Sequence, residues 1–267
     1  MKFEQSLELL QVHCQGEIGK VIMAGAPAIP GATILEKMNH INDVDDSLRR
    51  FATFEPRAHV AQSVNLLLPP TRPDADAAFI VLQADRAHPM SGSNCICVVT
   101  ALLESGRVAM VEPETTLRLD TAAGLVTARA RCENGRCLSV SLDNVPAFAL
   151  ALDAPIQTRA FGPLTADIAF GGVFYALIDA PKIGLTIAPE NARALAEAGI
   201  AIKSDLAGQI AVHHPTLPGL TDIAYVMFRD RDPDGAVRTC TTLKPGRVDR
   251  SPCTSWGSSA SKPSPTM

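Results

Sequence analysis

Ser91-Gly92-Ser93-Asn94 leads without a break into Cys95-Ile96-Cys97-Val98-Val99-Thr100-Ala101-Leu102-Leu103, and nearly every side chain in that run is apolar. Such a helix has no face to give to water and must be buried on all sides. Ser93 or Asn94 would cap its start, and Gly106, behind Glu104-Ser105, would end it. The N–H groups of its first turn have no intrahelical acceptor, and with the helix dipole they can hold a carboxylate. Ser91, behind His88-Pro89-Met90, puts a hydroxyl at that corner. On local signals alone, a capped core helix accounts for the stretch. A second corner of the same kind lies near the C-terminus, at Val248-Asp249-Arg250-Ser251-Pro252-Cys253-Thr254-Ser255. Two such corners, far apart in the chain, point to two related half-structures. Each would offer one proton-transferring side chain and one set of backbone donors.

The chain has 267 residues, enough for one large core or two medium ones, and with 4% aromatics that core must be built from Val, Ile, Leu and Ala. A net charge of −4 without a basic block argues against nucleic-acid binding. No stretch approaches the roughly 20 apolar residues of a membrane span. Nor does Met1-Lys2-Phe3-Glu4-Gln5 open a signal peptide, so a soluble, cytoplasmic protein is expected. The seven cysteines include no Cys-x-x-Cys, and Cys132 and Cys137 lack a matching pair at zinc spacing, so no metal site is expected. Cys95 and Cys97 fall inside the apolar helix as structural residues. Cys253 differs, because it follows Pro252 at a turn where N–H donors would lower a thiol pKa.

Short apolar or alternating runs at 11–24, 63–68, 78–83 and 117–120 read as strands. Asn134-Gly135 between 127–132 and 138–142 signals a hairpin. The run 166–179 is strand interrupted by Gly171-Gly172. Thr33 to Asn39 reads as a helix, and Pro189 to Ala198 as a surface helix that Gly199 ends. A domain boundary falls within 112–126. Composition and pattern by themselves support an α+β protein of two domains.

The two corners give the chain a specific resemblance. Met90-Ser91-Gly92-Ser93 and Asp249-Arg250-Ser251-Pro252-Cys253-Thr254 resemble the two site motifs of the proline racemase superfamily. That superfamily includes proline racemases, hydroxyproline 2-epimerases and trans-3-hydroxyproline dehydratases. Further matches, in order, are His13-Cys14-Gln15-Gly16-Glu17-Ile18-Gly19, Phe54-Glu55-Pro56-Arg57, Leu68-Pro69-Pro70, Asn144-Val145-Pro146-Ala147-Phe148 and Phe170-Gly171-Gly172-Val173-Phe174-Tyr175-Ala176. The resemblance implies two similar halves of diaminopimelate epimerase-like form, each a twisted β-sheet wrapped around a central helix, with the active site between them. The halves would be residues 1–120 and 121–253, followed by a divergent Ser/Pro-rich tail, 254–267. Pro263 and Pro265 depart from the family pattern, so the second half is expected to be incomplete, as in a truncated or frame-shifted chain.

The implied reaction is proton transfer at the α-carbon of proline or hydroxyproline, with no cofactor. Ser91 and Cys253 would be the two catalytic groups, on opposite faces of the carbon. Gly92, Ser93, Thr254 and Ser255 would aim donors at the carboxylate, and Asp249 would bind the ring nitrogen. His88, the only histidine close to either corner in sequence, is a candidate to polarise Ser91, whereas His59, His213 and His214 read as loop or surface residues. A Ser/Cys pair leans towards a hydroxyproline 2-epimerase. The alternatives are a trans-3-hydroxy-L-proline dehydratase and an inactive remnant. The partner would be the small substrate, with no nucleic acid and no membrane, and the chain is compatible with a homodimer.

Overall fold

A computed structural model of the chain describes residues 6–59, 61–243 and 246–249. They fall into two compact units, Met1–Val145 and Pro146–Met267. The boundary expected within 112–126, and the halves drawn at residue 120, therefore move to the Val145–Pro146 junction. Hydrogen bonding is the reason, since the strands after residue 113 extend the first sheet rather than starting a second.

In the first unit, strands β1 (Glu8–Cys14), β2 (Glu17–Ala24), β3 (Ser63–Leu68), β4 (Ala77–Leu82), β6 (Glu114–Thr121), β7 (Gly124–Glu133) and β8 (Arg136–Asp143) form the sheet in that order. The two-residue β5 (Ala87–His88) folds back onto β4. Helices α1 (Ile34–Asp43) and α2 (Ser47–Thr53) carry the crossover from β2 to the parallel β3. Helix α3 (Gly92–Glu104) carries that from β4 to the parallel β6. The run at 11–24 is not one strand but a hairpin. Gln15 (φ 48°) and Gly16 (φ 92°) form its two-residue turn, as Asn134 (φ 52°) and Gly135 (φ 71°) do between β7 and β8.

The apolar helix is enclosed as its composition requires. α3 packs against β1, β2 and β3 from one end of the sheet and against β7 and β8 from the other. Of its residues only Ile96, Thr100 and Glu104 are not buried, a single stripe at four-residue spacing. Val98, Val99, Leu102 and Leu103 are each at most 3% exposed, and burying each contributes roughly 1.5–3 kcal/mol. Glu104 closes that stripe by accepting from the backbone N–H of Cys137 at 3.1 Å on β8. Gly106 (φ 73°) ends the helix as expected, its N–H reaching the carbonyl of Leu103.

In the second unit, β9 (Phe148–Thr158), β10 (Gly162–Phe170), β11 (Phe174–Asp179), β12 (Ile223–Arg231), β13 (Val237–Leu243) and β14 (Arg247–Val248) form a six-stranded sheet in sequence order. All its pairs are antiparallel except β11–β12, which α4 (Ala192–Leu206) connects. The plan of the first unit recurs here. A helical crossover leads into a parallel strand, an antiparallel neighbour follows, and a two-residue strand then folds back onto that neighbour. β5 leads out to Ser91, and β14 leads out to Asp249; Cys253 lies outside the described residues. The tail 254–267 lies outside the described residues.

Gly199 does not end a surface helix. It sits mid-way along α4, where a Cβ would come within 2.1 Å of Thr242 Oγ1 and 2.6 Å of its Cβ and Cγ2. Thr242 cannot step aside, because it is buried, β-branched and donates to the carbonyl of Val226 at 3.0 Å. Gly→Ala inside a helix normally gains about 1 kcal/mol. Here overpacking of about 1–3 kcal/mol or more outweighs that gain. We expect Gly199→Ala to lower the urea midpoint, and Gly199→Ala combined with Thr242→Ala to recover much of the loss.

Candidate active site

Ser91 is the N-cap residue of α3, with extended backbone (φ −154°, ψ 129°), and its carbonyl accepts from the N–H of Cys95 at 2.9 Å. The cap thus lies two or three residues before the one expected at Ser93 or Asn94, and those two residues fall in the first turn. A serine at an N-cap ordinarily turns its hydroxyl onto a first-turn N–H. Ser91 does not, as no side chain caps this helix. Its Oγ instead accepts from the Asn94 side-chain amide at 2.9 Å and lies 3.4 Å from Ser93 Oγ. Among the described residues the first-turn N–H groups of Gly92 and Ser93 have no intrahelical or side-chain acceptor, the arrangement that suits an anion.

Asn94 is itself held from behind. Its Oδ1 accepts from Asn65 Nδ2 at 2.9 Å, and the same nitrogen reaches the carbonyl of Lys20 at 3.3 Å. Asn65 on β3 is completely buried. Gly19, on β2, leaves room for this seat, since a Cβ there would stand 3.1 Å from Asn94 Oδ1 and 2.8 Å from Cys97 Sγ. Sequence reading missed Asn65, and the only signal for it was a polar residue inside an otherwise apolar strand. His88 is not a partner of Ser91. It is buried on β5, where its Nε2 lies 3.1 Å from Asp85 Oδ1.

In the second unit Asp249 follows β14, its N–H donating to the carbonyl of Thr241 at 2.8 Å. Burial, with the Asp249 carboxylate adding to it, pushes the Cys240 thiol up to about 11, so that cysteine stays protonated at neutral pH. Cys253, Thr254 and Ser255 lie outside the described residues. His214 is not a plain surface residue. Its ring packs edge-on against Phe170 (4.6 Å) and Phe148 (5.4 Å), and burial pushes its pKa down. Its Nδ1 accepts from the N–H groups of Thr216 and Leu217, which ties the 214–217 turn to the aromatic cluster. A cavity of about 490 Å³ beside the C-terminal half of α4 includes Lys203 and Asp222 in its lining but none of the residues singled out from the sequence. Among the described residues no three His, Cys, Asp or Glu side chains gather as metal ligands, and no helix is long and apolar enough to cross a membrane.

The family model described as proline racemase matches residues 9–262, which takes in both corners. The chain belongs to the proline racemase family. It is 55% identical over 255 residues to a 4-hydroxyproline 2-epimerase of Allorhizobium ampelinum, covering 95% of this chain and 74% of that protein. A 4-hydroxyproline 2-epimerase of Agrobacterium fabrum is 54% identical over the same shares. Among solved structures, a hydroxyproline epimerase from Agrobacterium vitis with bound trans-4-hydroxy-L-proline superposes with a TM-score of 0.93 at 54% identity, over 97% of this chain and 77% of that one. The α+β plan of two similar halves read from the resemblance is thus the family's fold.

Proposed function

We propose that this chain is a cofactor-independent hydroxyproline 2-epimerase. The observation that carries the reading is the more than half identity, over 95% of the chain, to proteins of that activity. The geometry at Ser91 supports it. The α-proton of an amino acid leaves with difficulty because a carbanion forms beside a carboxylate. Donors aimed at the carboxylate spread that charge, and the first-turn N–H groups at Gly92 and Ser93 are suited to it. On the second unit Thr254 and Ser255 supply the matching donors, and Asp249 accepts from the ring nitrogen through a charge-assisted hydrogen bond. Ser91 and Cys253 then exchange protons with opposite faces of the α-carbon. One removes the proton, and the other delivers one to the far side.

The test is incubation with trans-4-hydroxy-L-proline and, separately, its C2 epimer in D2O, followed by mass spectrometry and chiral chromatography. We expect deuterium at the α-carbon and conversion of each isomer into the other with no loss of water. Trans-3-hydroxy-L-proline, whose hydroxyl sits on the carbon next to the carbanion, is run alongside. Its conversion into a product lighter by one water would identify a dehydratase, and absence of exchange from both 4-hydroxyproline isomers would reject the reading.

A further inference from the structure

We infer that Asn94, oriented by Asn65, sets the hydrogen-bond role of Ser91 and thereby equips it to act as a base, stabilising the alkoxide that remains once the hydroxyl has given its own proton to solvent. This rests on the catalytic role proposed above for Ser91. Three observations converge on it. First, Ser91 occupies an N-cap yet does not cap, so its hydroxyl is withheld from the usual structural task. Second, the partner it takes is a donor. Asn94 Nδ2 gives its proton to Ser91 Oγ at 2.9 Å, and a hydrogen bond received by an oxygen stabilises the form in which that oxygen carries negative charge. Third, the direction of that bond is fixed from outside the site. The Lys20 carbonyl can only accept, so Asn65 must turn its Nδ2 towards it. The same Nδ2 then requires Asn94 to present Oδ1, which leaves Asn94 only its own Nδ2 for Ser91.

The arrangement leaves a buried acceptor unmet, since Asn65 Oδ1 has no hydrogen-bond partner among the described residues. Turning the Asn65 amide over would set two oxygens against its own, at Lys20 and at Asn94. The unpaired Oδ1 follows from holding the chain of donors in one direction. Asn94 is thus a positioning residue, as it acts through Ser91 and needs no contact with substrate.

The test uses the face-selectivity of a two-base reaction. Ser91→Ala removes one base and so identifies the stereoisomer that Ser91 deprotonates, namely the one that loses α-deuterium exchange. We expect Asn94→Ala to slow exchange from that same isomer by about 10- to 100-fold while exchange from the other isomer stays within about twofold. The alkaline rise of the slowed reaction should also move to higher pH. Asn94→Leu keeps the seat filled should the alanine variant lose its fold, and carries the same expectation. Asn65→Leu should give a smaller effect on the same isomer. Equal loss from both isomers, or no loss from either, in a protein with unchanged melting temperature would overturn the inference. Wild-type protein that exchanges neither isomer would reject the function itself, a distinguishable result.

Discussion

Ser91→Ala is expected to stop epimerisation while deuterium still enters one of the two substrate stereoisomers, and Cys253→Ala to leave it entering only the other. Net inversion needs a base on one face and an acid on the other, so either change should cost at least about 10³-fold in conversion. Exchange without inversion needs only one group. The remaining base takes the α-proton, trades it with solvent and returns a deuteron to the same face. The two variants therefore produce mirror-image labelling patterns that general damage to the fold cannot imitate. Loss of exchange from both isomers in both variants would show that the two residues do not divide the faces between them.

The largest expected effect on stability lies in the second unit, at Arg229 on β12. Its Nη1 meets Asp167 Oδ2 on β10 at 2.8 Å, and its Nη2 and Nε meet Asp179 Oδ1 at the end of β11 at 2.9 and 3.2 Å. One guanidinium thus clamps three neighbouring strands. The two carboxylates are not equivalent, because the Asp167 side chain is 2% exposed and that of Asp179 41%. Asp167 Oδ1 also accepts from the N–H of Asp153, a residue in the left-handed region (φ 50°) where β9 and β10 slip register. Arg229→Met would leave a buried carboxylate without its cation, a change that costs about 3–5 kcal/mol. That is a large share of the 5–15 kcal/mol typical of a folded protein. Urea titration should show the loss as a lower midpoint at unchanged slope. Asp179→Asn, at the exposed end of the clamp, should cost at most about 1 kcal/mol. Arg229→Met combined with Asp167→Asn should recover part of the loss, because the stranded charge is gone. A midpoint for Arg229→Met equal to that of Asp179→Asn would show that burial of Asp167 does not govern the clamp.

Features set by a residue's own backbone preferences were legible in the sequence. Asn134-Gly135 demands positive φ at two successive positions and so announces its hairpin, and Gly106 does the same for the end of α3. The enclosure of α3 was legible because an all-apolar helix allows no alternative. Features that depend on distant contacts were not. Gly199 offered the local signal of a helix end, whereas its reason is Thr242 on another element. The hydrogen bonds of β7 to β6 and of β8 to β7 moved the unit boundary past residue 120, and pairing between strands leaves no mark at the boundary itself. At the site, Ser91 and the helix mouth could be named from residue type and spacing. Asn65 could not, because its meaning comes from the Lys20 carbonyl and the Asn94 amide, both remote in the chain.

The way α3 is wrapped also dictates when its unit can become dry. The strands that sheathe the helix come from residues 8–14 at one extreme and 136–143 at the other. A ribosome therefore releases the sticky cylinder of Val98, Val99, Leu102 and Leu103 well before the second half of its sleeve exists. Until β8 has emerged, that surface is available to chaperones or to neighbouring nascent chains. The long sequence separation between the two flanks makes closure slow compared with helix formation itself.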